Sequence, residues 1–122
     1  MSRHALRERD YLEHMLDAIQ QIRQYTSGKT AEDFRRDRLL QDAVVRNIEV
    51  LGEASKKLLN AAPEAATRYP GIPFAAIYAM RNQLLHGYFT IDLDVVWNSI
   101  QHDIPELHEE LQTALLPPND TP

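Results

Sequence analysis

Apolar residues recur at intervals of three and four along most of this chain, and that period predicts helices rather than strands. From about Arg3 to Tyr25, Leu12, Met15, Leu16, Ile19 and Ile22 fall on one stripe, and "TSGKT" stops the helix at Gly28. Thr30 with Asp33 three residues later has the form of a capping box, opening a second helix that the pattern carries to Asn60. In that helix Ala43, Val44, Val50, Leu51, Ala54, Leu58 and Leu59 fill a wide apolar arc. Arg46, Glu49, Glu53, Lys56 and Lys57 gather opposite it, with Glu53 and Lys57 at the favourable ion-pair spacing of four. Gly52 in the interior costs roughly 1 kcal/mol relative to Ala, which is tolerable where another backbone comes close. Asn47 sits in the apolar arc and needs a buried partner.

"NAAPEAATRYPGIP" reads as a turn, a short helix entered through Pro63, and a break, after which Pro73 suits the first position of another helix, "FAAIYAMRNQLLHG", ending at Gly87. A last helix begins near Asp92 or Asp94 and lines up Leu93, Val96, Trp97, Ile100, Ile104, Leu107 and Leu111. Pro105 is expected to kink or divide it. No strand pattern and no repeat emerge. The expectation is an all-α antiparallel bundle of four to five helices, one domain over residues 1–116, with "PPNDTP" in a frayed tail at 117–122.

Composition narrows the function classes. A chain of 122 residues with 43% hydrophobic and 25% charged positions can bury one modest core, and four glycines leave it rich in helix formers. It has no cysteine, hence no disulfide framework and no thiolate metal site. The N-terminus is charged throughout and no apolar run could span a membrane, so the expected location is cytoplasmic. A formal charge of −5 argues against a broad basic surface for nucleic acid, so any such contact must be local.

One stretch resists the bland reading. In "MRNQLLHGYF", Met80 to Phe89, a helical wheel centres Arg81 between Ile77 and Leu85, with Phe74 and Leu84 nearby. Asn82 and His86, four apart, border that face, and Gly87 would release Tyr88 from the helix. Arg81 could simply run its stem along the core, with His86 capping the helix and Tyr88 packing as an amphipathic aromatic. A cation in an apolar arc is nevertheless costly unless paired, which points to a cleft or an interface. Chemically, guanidinium and imidazole together suit a phosphate. Arg steadies its charge, His moves a proton near neutral pH, and the ribose 2′-OH of RNA supplies a nucleophile without metal.

Arg81, His86 and Tyr88 match the Arg-x4-His-x-Tyr motif, and here the chain resembles the HepT-like toxins of the HEPN group of ribonucleases. "DRLLQDAVVRNIEVLGEASKKL" before the motif, "YPGIPFAAIYAMRNQLLHGYF" across it and "IDLDVVWNSIQHDIPEL" after it extend the resemblance from Tyr11 to Leu111. The resemblance implies a HEPN-like bundle that forms a homodimer, with two motifs meeting in a cleft. It also implies metal-independent cleavage of RNA with no cofactor, Arg81 and His86 as the catalytic pair and Asn82 as a polar supporter. Such toxins are commonly paired with a minimal nucleotidyltransferase antitoxin that transfers AMP to the motif tyrosine, here Tyr88. An anionic nucleotide so close to His86 would repel an RNA phosphate.

The alternative function is a helical module that binds a nucleotide or a nucleotidyltransferase without cutting RNA; a purely structural helical protein is the third option. Other candidates have plainer readings. His4, His14, His102 and His108 lack metal-ligand spacing, since "LHEEL" has no second His, and are expected at the surface. Asp10, Glu13 and Asp17 form a solvated face that could dock a basic antitoxin surface. Trp97 and Tyr78 could stack on bases but occupy packing positions, and Asn47 and Glu53 could lie near the motif.

Overall fold

A computed structural model describes residues 3–86 and 91–116. Among them six helices and no strand form: α1 (Arg3–Thr26), α2 (Ala31–Arg36), α3 (Arg38–Ala61), α4 (Ala65–Arg68), α5 (Phe74–His86) and α6 (Leu93–Ala114). The all-α expectation holds. Helix α3 is the central element, packed along both α1 and α5, while α6 closes against α1.

The α1 stripe is buried as its spacing requires, with Met15, Ile19 and Ile22 at 0% exposure and Leu12 at 2%. Gly28 takes φ 74° and turns the chain out of α1. The capping box is formed in full: Thr30 Oγ1 accepts from the Asp33 amide at 3.1 Å and Asp33 Oδ2 accepts from the Thr30 amide at 2.9 Å.

The long second helix expected from Thr30 to Asn60 is instead two helices, α2 and α3, broken at Asp37. Asp37 is extended and its carboxylate accepts from the Leu40 amide at 3.0 Å, so it starts a new helix rather than continuing the old one. Gln41 then donates from Nε2 to the carbonyls of Phe34 and Arg35, satisfying the end of α2. The break lets Phe34 enter the core against Trp97, ring centroids 5.5 Å apart. Periodicity alone could not see this, because both helices keep the same period.

The wide apolar arc of α3 is real but shifted. Ile48 and Ser55, absent from the expected arc, are buried, whereas Val50 and Leu59 are half-buried. Ser55 Oγ donates to Met15 Sδ at 3.7 Å, tying α3 to α1. Asn47 finds its partner within its own helix, the Ala43 carbonyl at 2.9 Å.

Pro73 lies just outside α5, its carbonyl accepting the Ile77 amide at 3.0 Å, so it acts as the cap rather than the first helical residue. Pro105 does not divide α6, which runs unbroken past it. Gln101, one turn back, is exposed, so a carbonyl that loses its helical partner to proline can bond water instead. Gly87 and the tail at 117–122 lie outside the described residues. No helix of the described residues is long and apolar enough to cross a membrane.

Candidate active site

The geometry around Arg81 begins with Gly52. A Cβ at position 52 would stand 2.4 Å from Arg81 Cβ and 2.7 Å from its Cγ, so the Arg81 stem lies directly on the backbone of α3. The expected close approach is therefore made by a side-chain stem from α5. Arg81 lies at the inner face of α5 with its side chain 22% exposed, snorkelling from the core to a cleft.

Three groups hold its guanidinium. Nη2 bonds Glu53 Oε2 at 2.9 Å, and Nη1 donates to Asn82 Oδ1 at 3.0 Å. The cation also stands 5.8 Å from the centroid of the Tyr78 ring, over which Lys56 Nζ lies at 5.0 Å. Arg81 Nε is buried and has no hydrogen-bond partner among the described residues. Glu53 thus pairs with Arg81 across two helices, not with Lys57 along its own as the spacing of four suggested. A fixed cation beside an amide can hold and orient a phosphate oxygen.

On the far side of Arg81 a cleft of about 380 Å³ opens between α1, α3 and α5. Tyr11 and His14 line it from α1, their rings edge to face at 6.3 Å. Helix α3 contributes Arg46, Glu49, Glu53 and Lys57 over a floor of Val50 and Ala54. Arg46 pairs loosely with Glu49 at 3.7 Å, and Lys57 has no carboxylate partner among the described residues. The charged side of α3 is therefore one wall of a concave site rather than a plain solvent face.

Of the residues singled out from sequence, Arg81 and Asn82 are brought together. His86 is the last residue of α5 and its side chain lies outside the described residues, as does Tyr88. Tyr11, His14 and Lys57 were missed as site residues. Their signal was the shared face of Tyr11 and His14 three apart, and the three-to-four spacing of Arg46, Glu49, Glu53 and Lys57. A second groove, about 360 Å³ between α3, α5 and α6 over Leu51, Ile77 and Ile104, is mainly apolar and carries Asp103 and Glu106, a poor match for a phosphate.

The family profile described as ribonuclease HepT-like matches residues 15–114, which include the whole of the Arg81 helix and both walls of the cleft beyond Tyr11 and His14. The chain belongs to the HepT-like ribonuclease family. The enzyme class that goes with membership is endoribonuclease, acting on RNA. Among HepT-like relatives, the "Probable ribonuclease HepT" of Thermococcus cleftensis is 39% identical over 81% of this chain and 87% of its own length. The "Putative RNase" of Caldanaerobacter subterraneus subsp. tengcongensis is 35% identical over 88% of this chain and 93% of its own. A Methanocaldococcus jannaschii protein named "Gamma-glutamylcyclotransferase and putative RNase" is 43% identical over 83% of this chain, yet the match spans only 44% of that longer protein. No solved structure matches the chain.

The remaining histidines divide. His14 is exposed and lines the cleft, His102 is exposed, and His4 lies outside the residues with described side chains. His108, expected at the surface, is half-buried and accepts at Nδ1 from Arg23 at 2.8 Å, joining α6 to α1. Burial, reinforced by the Arg23 cation, holds its pKa below the ordinary imidazole value. No group of metal-ligating side chains occurs among the described residues. Asp10, Glu13 and Asp17 are exposed, Glu13 pairing with Arg9 at 3.2 Å, which fits a solvated face.

Proposed function

We propose that this HepT-like chain is the toxin of a toxin-antitoxin pair, cleaving RNA without metal through Arg81 and His86. The observation that carries the reading is the Arg81 guanidinium held at the mouth of a cleft by Glu53 and Asn82, five residues before the motif histidine. In this reading one imidazole takes the proton of the ribose 2′-OH, O2′ attacks the adjacent phosphorus, and the bond to the 5′-oxygen breaks as an acid protonates that leaving oxygen. The products are a 2′,3′-cyclic phosphate and a 5′-hydroxyl. Arg81 steadies the charge that grows on the nonbridging oxygens, and Asn82 fixes the orientation of Arg81.

One chain offers a single motif histidine, so base and acid together call for two chains, and the active form is a homodimer. Support for an interface comes from an open, mainly apolar hollow beside α5, bordered by Met80, Leu84, Ile91 and Val95 together with Gln83 and Asp92, with Val95 60% exposed. The functional unit is the domain 1–116, working in the cytoplasm. Its antitoxin is a minimal nucleotidyltransferase that adds AMP to Tyr88 and so repels the substrate phosphate from the cleft.

The test is cleavage of RNA by purified unmodified protein in excess chelator. Arg81→Ala and His86→Ala are each expected to abolish cleavage while the dimer persists; normal turnover by both variants would overturn the assignment. Intact mass after incubation with the neighbouring nucleotidyltransferase and ATP should show a gain matching AMP, and Tyr88→Phe should prevent it. The alternative, a module that binds nucleotide without cutting, is favoured by Glu53 already neutralising Arg81, and cleavage dependent on His86 excludes it.

A further inference from the structure

The cleft beside Arg81 contains more chemistry than a scissile phosphate needs. Its floor, Val50 and Ala54, is apolar, and the half-buried Tyr11 ring stands on its α1 side with the His14 ring inclined to it by 74°. Lys57 adds a cation on the α3 wall with no carboxylate partner among the described residues, and Glu49 and Glu53 add carboxylates. An apolar floor with an aromatic wall suits the face of a base, a cation suits a phosphate, and a carboxylate accepts from the amino edge of a base.

We propose that this cleft is a single-nucleotide subsite for single-stranded RNA, holding the nucleotide next to the phosphate bound by Arg81. The base lies against Tyr11, the flanking phosphate sits on Lys57, and the Glu49 carboxylate faces the base edge. The mixed lining explains how a chain of formal charge −5 can engage RNA: contact is confined to the phosphate at Arg81 and the one nucleotide beside it rather than spread over a basic surface. Duplex RNA does not enter, because its bases are stacked and their faces closed to Tyr11. The proposal rests on Arg81 as the phosphate-binding residue of the cleavage site.

The test uses the full chain with a fluorescein-labelled 2′-O-methyl tetranucleotide, which binds but has no free 2′-OH, read by anisotropy, and in parallel steady-state cleavage of the unmethylated RNA. Tyr11→Leu is expected to weaken binding at least roughly fivefold and raise KM by a similar factor with kcat retained, and Tyr11→Phe, which keeps the ring, to weaken it less than Tyr11→Leu does. Lys57→Gln, at an exposed position that cannot disturb the core, should also weaken binding and lower the slope of log affinity against log salt by about 0.7 to 1. Lys29→Gln, on the exposed turn after α1, serves as the charge control and should bind as wild type. Unchanged tetranucleotide binding in both Tyr11→Leu and Lys57→Gln would overturn the subsite. If those variants bind normally while Arg81→Ala still abolishes cleavage, the subsite alone fails. If Arg81→Ala cleaves normally, the catalytic assignment fails, and the anisotropy result still decides whether the cleft binds RNA.

Discussion

Replacing Gly52 with Ala separates a generic helix effect from the specific contact that seats Arg81. In an ordinary helix interior the change stabilises by about 1 kcal/mol, because Ala loses less backbone freedom on folding. Here the new methyl would meet Arg81 Cβ at 2.4 Å and Cγ at 2.7 Å, more than an ångström inside normal contact. The clashing atoms are at the root of the side chain, so no rotamer change relieves the overlap and α5 itself must move away from α3. Overpacking of this kind costs about 1–3 kcal/mol, which leaves a net loss of roughly 0–2 kcal/mol after the helix gain. Catalysis should suffer more. Arg81 would be carried, together with Asn82, away from Glu53 on α3, and a displacement of about 1 Å at a positioned group can cost on the order of a hundredfold in rate. Thermal denaturation followed by circular dichroism, together with RNA cleavage kinetics, reads both quantities. A variant that melts several degrees higher and cleaves at the wild-type rate would refute the argument.

Other perturbations test separate contacts. Glu53→Gln keeps a hydrogen-bond acceptor for Arg81 but removes the carboxylate that competes with phosphate; KM for RNA should fall, with stability changed by less than about 1 kcal/mol because the pair is partly exposed, and a higher KM would contradict this. Arg68→Ala strips the partner from the nearly buried Glu8 carboxylate that ties α4 to α1, and a loss of about 1–3 kcal/mol in urea denaturation is expected. His108 has a folded pKa below its ordinary value, so the unfolded chain binds the proton more readily. Its contribution is therefore present above about pH 6.5 and lost as pH falls through that range into the lower folded pKa, and His108→Gln should flatten the stability profile there. Asp33 is likewise held below the usual carboxylate range by its bonds to Thr30. The capping box should then hold above the ordinary Asp pKa and weaken as pH falls through the lowered value, an acid dependence that Asp33→Asn should remove.

Much of the fold could be read from residue order, because the stripes of α1 and α6 and the capping box of α2 are local: each depends on spacing within a few turns. Leu12, Met15, Ile19 and Ile22 on α1, and Val96, Ile100, Ile104 and Leu111 on α6, are all buried as their period demands. The inward aspect of Arg81 and the meaning of Gly52 as a place of close approach were also visible, since a wheel gives a residue's face and a helical glycine marks missing bulk. Membership of the HepT-like family followed from the order of motif and flanking blocks.

What the chain alone could not decide was which faces meet. The break at Asp37 depends on Phe34 finding Trp97 more than sixty residues away, and Glu53 chose Arg81 over Lys57 because α5 presents a cation to it across the gap that Gly52 leaves open. Likewise, nothing in their spacing puts Tyr11 and His14 beside Arg81; the packing of both α1 and α5 against α3 does that. Periodicity determines the face a side chain occupies on its own helix. Only packing determines what stands opposite, and here that difference turns a row of surface charges into a cleft next to the motif arginine.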